Sequence, residues 1–216
     1  MISIYLADDH VMFRQGLKLL LEKQDNMTVV GEASNGRDAY REIIKNKPDI
    51  AVLDIMMEEM NGIDAAEAIR RECPATRVII LTMNSSQEHV SRAMKAGASA
   101  YLLKEFAGEE LVRAINDVHA GKQYFNFSDN GSAIDEYIMT GVKDTDGEVL
   151  SCLSLREREI LQLIAEGKSN RKIGDILFLA PSTIATYRHR IMEKLKFKDQ
   201  SELIKLAIRE GLIDQE

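Results

Sequence analysis

Residues 51–62, AVLDIMMEEMNG, join an apolar run to a single aspartate, Asp54, and then to a loop of methionines, glutamates and a glycine. Residues 50–53 show no alternation of polar and apolar side chains, which is typical of a strand covered on both faces in a parallel sheet. An acidic residue directly after such a strand lies where open α/β sheets bind their ligands. Asp54 is therefore a candidate for chemistry, with a simple strand terminator as the alternative.

Around this stretch, strand-like and helix-like segments alternate five times up to about residue 120. The predicted strands cover residues 2–7, 28–33, 50–54, 77–82 and 100–104. Amphipathic helices are predicted after them, at residues 13–23, 36–46, 62–73, 87–97 and 108–121. In the last helix the apolar side chains recur at spacings of three and four: Leu111, Ala114, Ile115 and Val118. This alternation predicts a flavodoxin-like (βα)5 domain with a parallel sheet in the order 2-1-3-4-5 and helices on both faces.

The remaining chain has a different organisation, so the fold class is α/β plus all-α. Residues 122–150 are rich in Asp, Asn, Ser and Gly and predict a linker, in which the apolar patch 134–139 allows one helical turn. Residues 151–216 predict four helices and no strand. Ser154 and Glu157 form a capping box for the first of them, and Pro181 suits the first turn of the third. A short helix followed by a longer basic one predicts a helix-turn-helix at about residues 169–196. The predicted domains are thus 1–121 and 151–216.

Composition excludes several classes of protein. The 216 residues are 45% hydrophobic and 29% charged, and no apolar stretch approaches the roughly 20 residues that span a bilayer. The first ten residues lack the basic region of a signal peptide, so we expect a cytoplasmic protein in which Cys73 and Cys152 are reduced thiols. The net charge of −7 divides into −9 for residues 1–150 and +2 for residues 151–216. This asymmetry hints at nucleic-acid contacts in the C-terminal part.

Five polar residues lie at the ends of four predicted strands, each near the last residue of its strand: Asp8, Asp9, Asp54, Thr82 and Lys104. One acid at a strand end is usually a solubilising loop residue, but in the predicted strand order these five converge at the point where the order reverses. Three crowded carboxylates repel one another unless a cation joins them, and Mg²⁺ prefers oxygen ligands. A carboxylate in such a place can attack phosphorus, with Lys104 supplying an ammonium and Thr82 a hydroxyl. The scattered histidines His10, His89 and His119 are expected in loops or on the surface.

Four segments of the N-terminal half resemble the motifs of response-regulator receiver domains: LADDH (6–10), VLDIMMEEMNG (52–62), IILT (79–82) and AYLLK (100–104). The resemblance implies that Asp54 accepts a phosphoryl group from a sensor histidine kinase. It also implies that Asp8, Asp9 and the backbone carbonyl of Met56 help to hold Mg²⁺, and that Thr82 and Tyr101 form the switch pair.

The receiver-like part departs from the family at two positions. Glu58, which Glu59 follows, and Glu105 occupy positions where the family usually has proline. Neither position supplies a reacting group. The extra acids can slow phosphoryl transfer or change the lifetime of the phosphate.

The C-terminal segments LREREILQLIAEGKSNRKI (155–173) and TIATYRHRIMEKL (183–195) resemble the LuxR-type output domain of NarL/FixJ response regulators. The resemblance implies that a recognition helix at about 181–196 enters the major groove, with Ile184, Ile191 and Leu195 as its buried stripe. The candidate DNA contacts are Thr183, Ala185, Thr186, Tyr187, Arg188, His189, Arg190, Lys194, Lys196 and Lys198. The lysines suit phosphates, whereas Arg188 or Arg190 suits guanine. Ala185, Tyr187 and Gly174 depart from the common family residues, so we expect groove docking without the usual base preference.

Together these features predict a two-component response regulator that binds double-stranded promoter DNA, forms a homodimer when phosphorylated and is not an enzyme. The resemblance implies that the last helix or a face of the receiver domain carries the dimer contact. Two alternatives remain open. One is a DNA-binding regulator whose receiver no longer takes phosphate, and the other is an aspartyl-phosphate phosphatase, although the chain lacks a D-x-D motif and a substrate cap.

Overall fold

The computed structural model describes residues 1–83, 87–125 and 149–213. The chain forms two compact units, an N-terminal α/β domain and a C-terminal helical domain, as the sequence predicts. The helical turn predicted at residues 134–139 lies outside the described residues. The linker boundaries stay a prediction.

The N-terminal domain contains a six-stranded sheet in the order β2-β1-β3-β4-β5-β6, with every neighbouring pair parallel. The strands are β1 (Ile2–Ala7), β2 (Met27–Ala33), β3 (Ile50–Leu53), β4 (Arg77–Thr82), β5 (Ala100–Leu103) and β6 (Tyr124–Phe125). The predicted order of the first five strands is confirmed. Strand β6 was not predicted, because its two residues lie in the segment that composition assigns to the linker. The sheet therefore extends past residue 121.

Five helices connect and follow these strands: α1 (Val11–Glu22), α2 (Gly36–Asn46), α3 (Gly62–Glu72), α4 (Gln87–Ala96) and α5 (Glu109–His119). Helices α1 and α5 bury Leu17 and Leu111 in one core cluster with Ile4 and Val52 of the sheet. Helix α3 contacts both α2 and α4. All four residues of β3 are buried, as the absence of polar alternation predicts.

The segments that begin and end these helices match the sequence signals. Asn35 and Asn61 accept backbone hydrogen bonds as the caps of α2 and α3. Gly97, after α4, has a φ of 94°, a left-handed conformation that glycine adopts without a steric cost. After β5, residues Lys104–Phe106 form a single 3₁₀ turn, which the sequence did not predict.

The C-terminal domain consists of a 3₁₀ turn (Val149–Cys152) and the helices α6 (Leu155–Ala165), α7 (Asn170–Leu177), α8 (Pro181–Leu195) and α9 (Gln200–Arg209). The predicted capping box of Ser154 and Glu157 is present. Asp199 and Glu202 form a second capping box at the start of α9. Ile184, Ile191 and Leu195 of α8 are buried in the core of this domain, so the predicted apolar stripe is confirmed. No helix within the described residues has the length and apolar character required to cross a membrane.

One histidine differs from its prediction. His89 is only 6% exposed in α4, although the sequence suggested a surface or loop residue. The sequence pattern of an amphipathic helix does not show whether a single histidine lies on the buried face or at its edge. In α4 this position faces the interior of the domain. His10 and His119 are exposed, as expected.

Candidate functional site

The parallel sheet brings the predicted acidic residues to one edge. Strands β1 and β3 are neighbours, with Ala7 paired to Leu53, so Asp8 and Asp54 follow at the same level. The backbone N–H of Asp54 donates to the carbonyl of Ala7 at 2.9 Å, which continues the strand pairing by one residue. Both carboxylates are 3% exposed. Parallel pairing therefore converts two positions distant in sequence into one buried acidic site.

Lys104 joins the two carboxylates. Its Nζ lies 2.7 Å from Oδ2 of Asp54 and 2.9 Å from Oδ2 of Asp8. The ammonium also lies 5.0 Å from the centre of the Phe13 ring, within the range of a cation–π contact. The side chain of Lys104 is 5% exposed, so water screens these interactions little.

The environment shifts the pKa values of Asp54 and Lys104. Burial raises the pKa of Asp54 to about 6, helped by the charges of Asp8 and Asp9, while the hydrogen bond and charge of Lys104 oppose the rise. For Lys104, burial acts to lower the pKa, but the bonds and charges of Asp54 and Asp8 outweigh it and raise the pKa above its usual value. The site therefore holds two carboxylates and one ammonium, and an excess of negative charge attracts a cation.

The donor atoms fit a metal ion that prefers oxygen. Asp8, Asp9, His10 and Asp54 each offer one ligand atom, and these atoms all lie within 4.8 Å of one another. Three of the four donors are carboxylates, the chemistry that suits Mg²⁺. His10 was not predicted in this cluster; its Nδ1 lies 2.6 Å from Oδ1 of Asp9. The role of the Met56 carbonyl stays a prediction.

Thr82 and Tyr101 lie in the neighbouring strands. Thr82 is the last residue of β4 and is 1% exposed, and Tyr101, in β5, is fully buried. Burial, followed by the charge of Asp54, raises the pKa of the Tyr101 phenol above its usual range. The structure thus places a buried threonine at the end of β4, at the acidic edge of the sheet, and a buried tyrosine ring in the neighbouring strand β5. Their action as a switch pair stays a prediction.

Three residues that support the site were missed by the sequence analysis. Arg14 of α1 donates a hydrogen bond from a guanidinium nitrogen to the backbone carbonyl of Asp8, and its Nε lies 3.5 Å from Glu32 of β2. Asn61 caps α3, directly after the loop that Asp54 begins. Gly62 allows that helix to approach the site, because a Cβ there would lie 1.9 Å from the carbonyl oxygen of Asp54. The N-cap and glycine pattern of Asn61 and Gly62 was a visible signal; the partners of Arg14 were not.

The candidate DNA contacts occupy different environments on and after α8. Thr183, Tyr187 and Arg188 are half-buried, and Tyr187 packs against the domain core. The exposed candidates are Ala185, Thr186, His189, Arg190, Lys194, Lys196 and Lys198. An open concave surface is lined by Ser182, Thr183, Thr186, Tyr187 and Arg190. The outer face of α8 is therefore accessible along most of its length.

Two cations of α8 make contacts within the domain that the sequence did not predict. Arg188 donates to Oε1 of Gln200 in α9 at 3.1 Å, and its Nε is buried. Lys194 donates to Oε2 of Glu157 in α6 at 2.7 Å. Burial acts to raise the pKa of Glu157, but hydrogen bonds from Lys194 and Ser154 hold that pKa below its usual value. Both cations therefore tie α8 to neighbouring helices, whereas Arg190 lines the open surface.

A carboxylate cluster with a buried lysine, at the edge of a parallel sheet, together with a separate helix-turn-helix domain, defines the response-regulator class. Comparison with known proteins agrees with this class. Residues 4–116 match the response regulator receiver domain, and residues 151–207 match the bacterial regulatory proteins of the luxR family. The chain belongs to the two-component response regulators with a LuxR-type DNA-binding domain.

Individual relatives are similar over almost the whole chain. The uncharacterized transcriptional regulatory protein YhcZ of Bacillus subtilis (strain 168) is 38% identical over 213 residues, which is 97% of each chain. The oxygen regulatory protein NreC of Staphylococcus epidermidis (strain RP62A) is 33% identical over 216 residues, or 98% of this chain and 99% of its own. Among solved structures, the response regulator ChrA of a heme-sensing two-component system is 31% identical, covers 98% of both chains and has a TM-score of 0.50. The chain is therefore a two-component response regulator and transcription factor.

Proposed function

We propose that Asp54 is the phosphoacceptor of this response regulator and that its phosphorylation controls DNA binding by α8. The observation that supports this most directly is the contact of the buried Asp54 carboxylate with Lys104 at 2.7 Å. The contact leaves one carboxylate nucleophile beside a fixed ammonium, the arrangement that phosphoryl transfer requires.

In the proposed reaction, a carboxylate oxygen of Asp54 attacks the phosphorus of a phosphohistidine on the sensor kinase. A P–O bond forms and the P–N bond breaks, and the imidazole nitrogen keeps the electron pair and takes a proton from solvent. Lys104 neutralises charge on the transferred group, and the buried Thr82 hydroxyl donates to one of its oxygens. Asp8, Asp9, Asp54 and the Met56 carbonyl would hold Mg²⁺, which would neutralise the excess negative charge of the carboxylates. The chain then turns over no substrate; it loses its own phosphoryl group slowly.

Phosphorylation acts on DNA binding by a shift in population. The new group adds about −1.5 to −2 charges at the site. Thr82 and Tyr101 act as the switch pair: the hydroxyl of Thr82 moves toward the phosphoryl group, and the ring of Tyr101 turns inward. We propose that this change favours a homodimer, through α9 or a face of the receiver domain, that places two recognition helices on promoter DNA. Because the matching DNA-binding family is bacterial, we propose that the protein acts in the cytoplasm.

Intact-mass measurement tests the phosphoacceptor. Wild type incubated with acetyl phosphate and Mg²⁺ should gain one phosphoryl group, and D54N should gain none. D25N is a matched control, because Asp25 is an exposed loop residue, and it should behave as wild type. A D54N protein that still gains a phosphoryl group would place the acceptor elsewhere.

A gel-shift titration tests the switch. Phosphorylated wild type should bind its DNA more tightly than D54N does. Equal affinities would instead support the alternative in which the regulator acts without phosphate. The extra acids Glu58 and Glu59, four and five residues after Asp54 in the sequence, are the reason for that alternative. Release of phosphate from small phosphoesters would support the phosphatase alternative.

A further inference from the structure

Two of the cations of α8 are bonded within the C-terminal domain. The guanidinium of Arg188 is bonded to Gln200, and the ammonium of Lys194 is bonded to Glu157. His189 lies 3.5 Å from the carboxylate of Glu193, and both side chains are exposed. The exposed side chains in the central part of α8 therefore include the small residues Ala185 and Thr186, with Arg190 one turn beyond Thr186.

Two of these side chains present methyl groups. Ala185 is exposed, and its side chain is a single methyl group. The hydroxyl of Thr186 donates to the backbone carbonyl of Ser182 at 3.1 Å, a bond that satisfies the hydroxyl within the helix. The hydroxyl then has no proton left to donate to a base, and the methyl group is the apolar part of this exposed side chain. Successive positions of an α-helix point about 100° apart, so the two exposed methyl groups can each meet a different base.

In the major groove, the C5 methyl of thymine is the apolar group that distinguishes one base from the others. We propose that Ala185 and Thr186 recognise thymine through its C5 methyl group, as specificity-determining residues of the recognition helix. The inference rests on the proposed DNA-binding role of α8 and specifies the base chemistry. Arg190, which lines the same open surface as Thr186, is available for guanine or a phosphate.

The test begins with selection of a preferred sequence from a random DNA pool, using the full-length protein with and without acetyl phosphate and Mg²⁺. Each thymine of the selected half-site is then replaced in turn by deoxyuridine, which removes the methyl group and keeps the hydrogen-bonding pattern. At one or two positions the replacement should weaken binding about three- to fivefold, the effect of one buried methyl group. Replacements elsewhere in the half-site should have no effect.

Protein variants assign that effect to side chains. T186S keeps the hydroxyl and removes the methyl, and A185S replaces the methyl with a hydroxymethyl group. Each should abolish the deoxyuridine penalty at one thymine. T28S makes the same chemical change at Thr28 in β2, outside the DNA-binding domain, and should leave the penalty in place. Circular dichroism identifies a variant that fails to fold, in which case the wild-type deoxyuridine series decides alone.

The outcomes separate this inference from the proposed function. A selected site in which no thymine responds to deoxyuridine overturns methyl recognition but leaves DNA binding by α8 intact. A deoxyuridine penalty that persists unchanged in both variants overturns the assignment to Ala185 and Thr186. Selection that enriches no sequence contradicts both the inference and the role of α8.

Discussion

Burial of Asp54 makes the acidic site a source of instability in the metal-free protein. Its pKa is about 6 in the folded chain and about 3.9 for an unperturbed aspartate. Between these values the folded state binds more protons than the unfolded state does. The contribution of Asp54 to stability therefore falls as pH rises through this window and is lowest above it. Such strain is common where a protein prepares charged groups for a ligand.

D54N should therefore stabilise the metal-free protein at pH 7.5, by an amount on the order of 2 kcal/mol. The gain should shrink as pH falls and vanish below about pH 4, where both states of the wild type are protonated. Thermal unfolding in EDTA at several pH values measures the effect. Mg²⁺ should raise the wild-type Tm more than that of D54N. A D54N protein that is less stable than wild type at pH 7.5 would show that the bond to Lys104 outweighs burial.

Gly62 supports the site by the space that it leaves. A Cβ there would lie 1.9 Å from the backbone oxygen of Asp54, and neither backbone segment can move without disturbing the acceptor. We expect G62A to destabilise the protein by about 1 to 3 kcal/mol and to slow phosphorylation by acetyl phosphate. Thermal unfolding and intact-mass time courses measure the two effects.

Gly16 offers a matched control for G62A. It lies in α1, is exposed, and has no atom within 4 Å of an added Cβ. G16A should stabilise the protein by about 0.5 to 1 kcal/mol, because alanine favours helix over glycine. Normal phosphorylation of G62A would refute the proposed need for close approach.

Among the elements, α7 approaches the turn before α8 through a second glycine. A Cβ on Gly174 would lie 2.5 Å from the carbonyl oxygen of Leu179. G174A gains about 1 kcal/mol of helix propensity, but a clash with backbone costs about 1 to 3 kcal/mol. We expect G174A to lower the Tm of the C-terminal domain and weaken DNA binding. A G174A protein with unchanged Tm and DNA affinity would contradict this.

The contacts of Lys194 and Lys198 separate a structural lysine from a phosphate contact. K194M removes the ion pair with the nearly buried Glu157 and should cost about 1 to 3 kcal/mol, while the salt dependence of DNA binding stays unchanged. K198M changes an exposed loop residue; it should alter stability by less than about 0.5 kcal/mol and reduce the salt slope by about 1. Unfolding curves and binding at several salt concentrations measure both. If K194M reduced the dependence of DNA affinity on salt concentration, Lys194 would be a phosphate contact after all.

These elements show what the sequence could predict. The bounds of α2 match the prediction because its amphipathic pattern covers the same residues, and the acidic cluster was predicted because the ends of parallel strands share one edge. Strand β6 was missed because two aromatic residues carry no periodicity; its pairing with Ala100 is a tertiary contact. The bond between Lys194 and Glu157 spans 37 residues and depends on the packing of α6 against α8, which no local pattern encodes.

For the whole molecule, the proposed dimer makes a geometric prediction about its DNA. One recognition helix contacts few base pairs, so selective binding needs two half-sites on the same face of the duplex, about 10 bp apart or a multiple of that. Phosphorylated wild type should bind a two-half-site DNA cooperatively and bind a single half-site much more weakly.

Changing the spacing tests this arrangement. Insertion of about 5 bp turns one half-site to the opposite face of the duplex, and insertion of about 10 bp returns it to the original face. We expect the first change to reduce affinity to that of a single half-site and the second to restore part of it. D54N should bind all of these DNAs weakly and without dependence on spacing, because dimerisation is proposed to require phosphorylated Asp54. If phosphorylated wild type binds one half-site as tightly as two, recognition is monomeric and phosphorylation must act on α8 without a dimer.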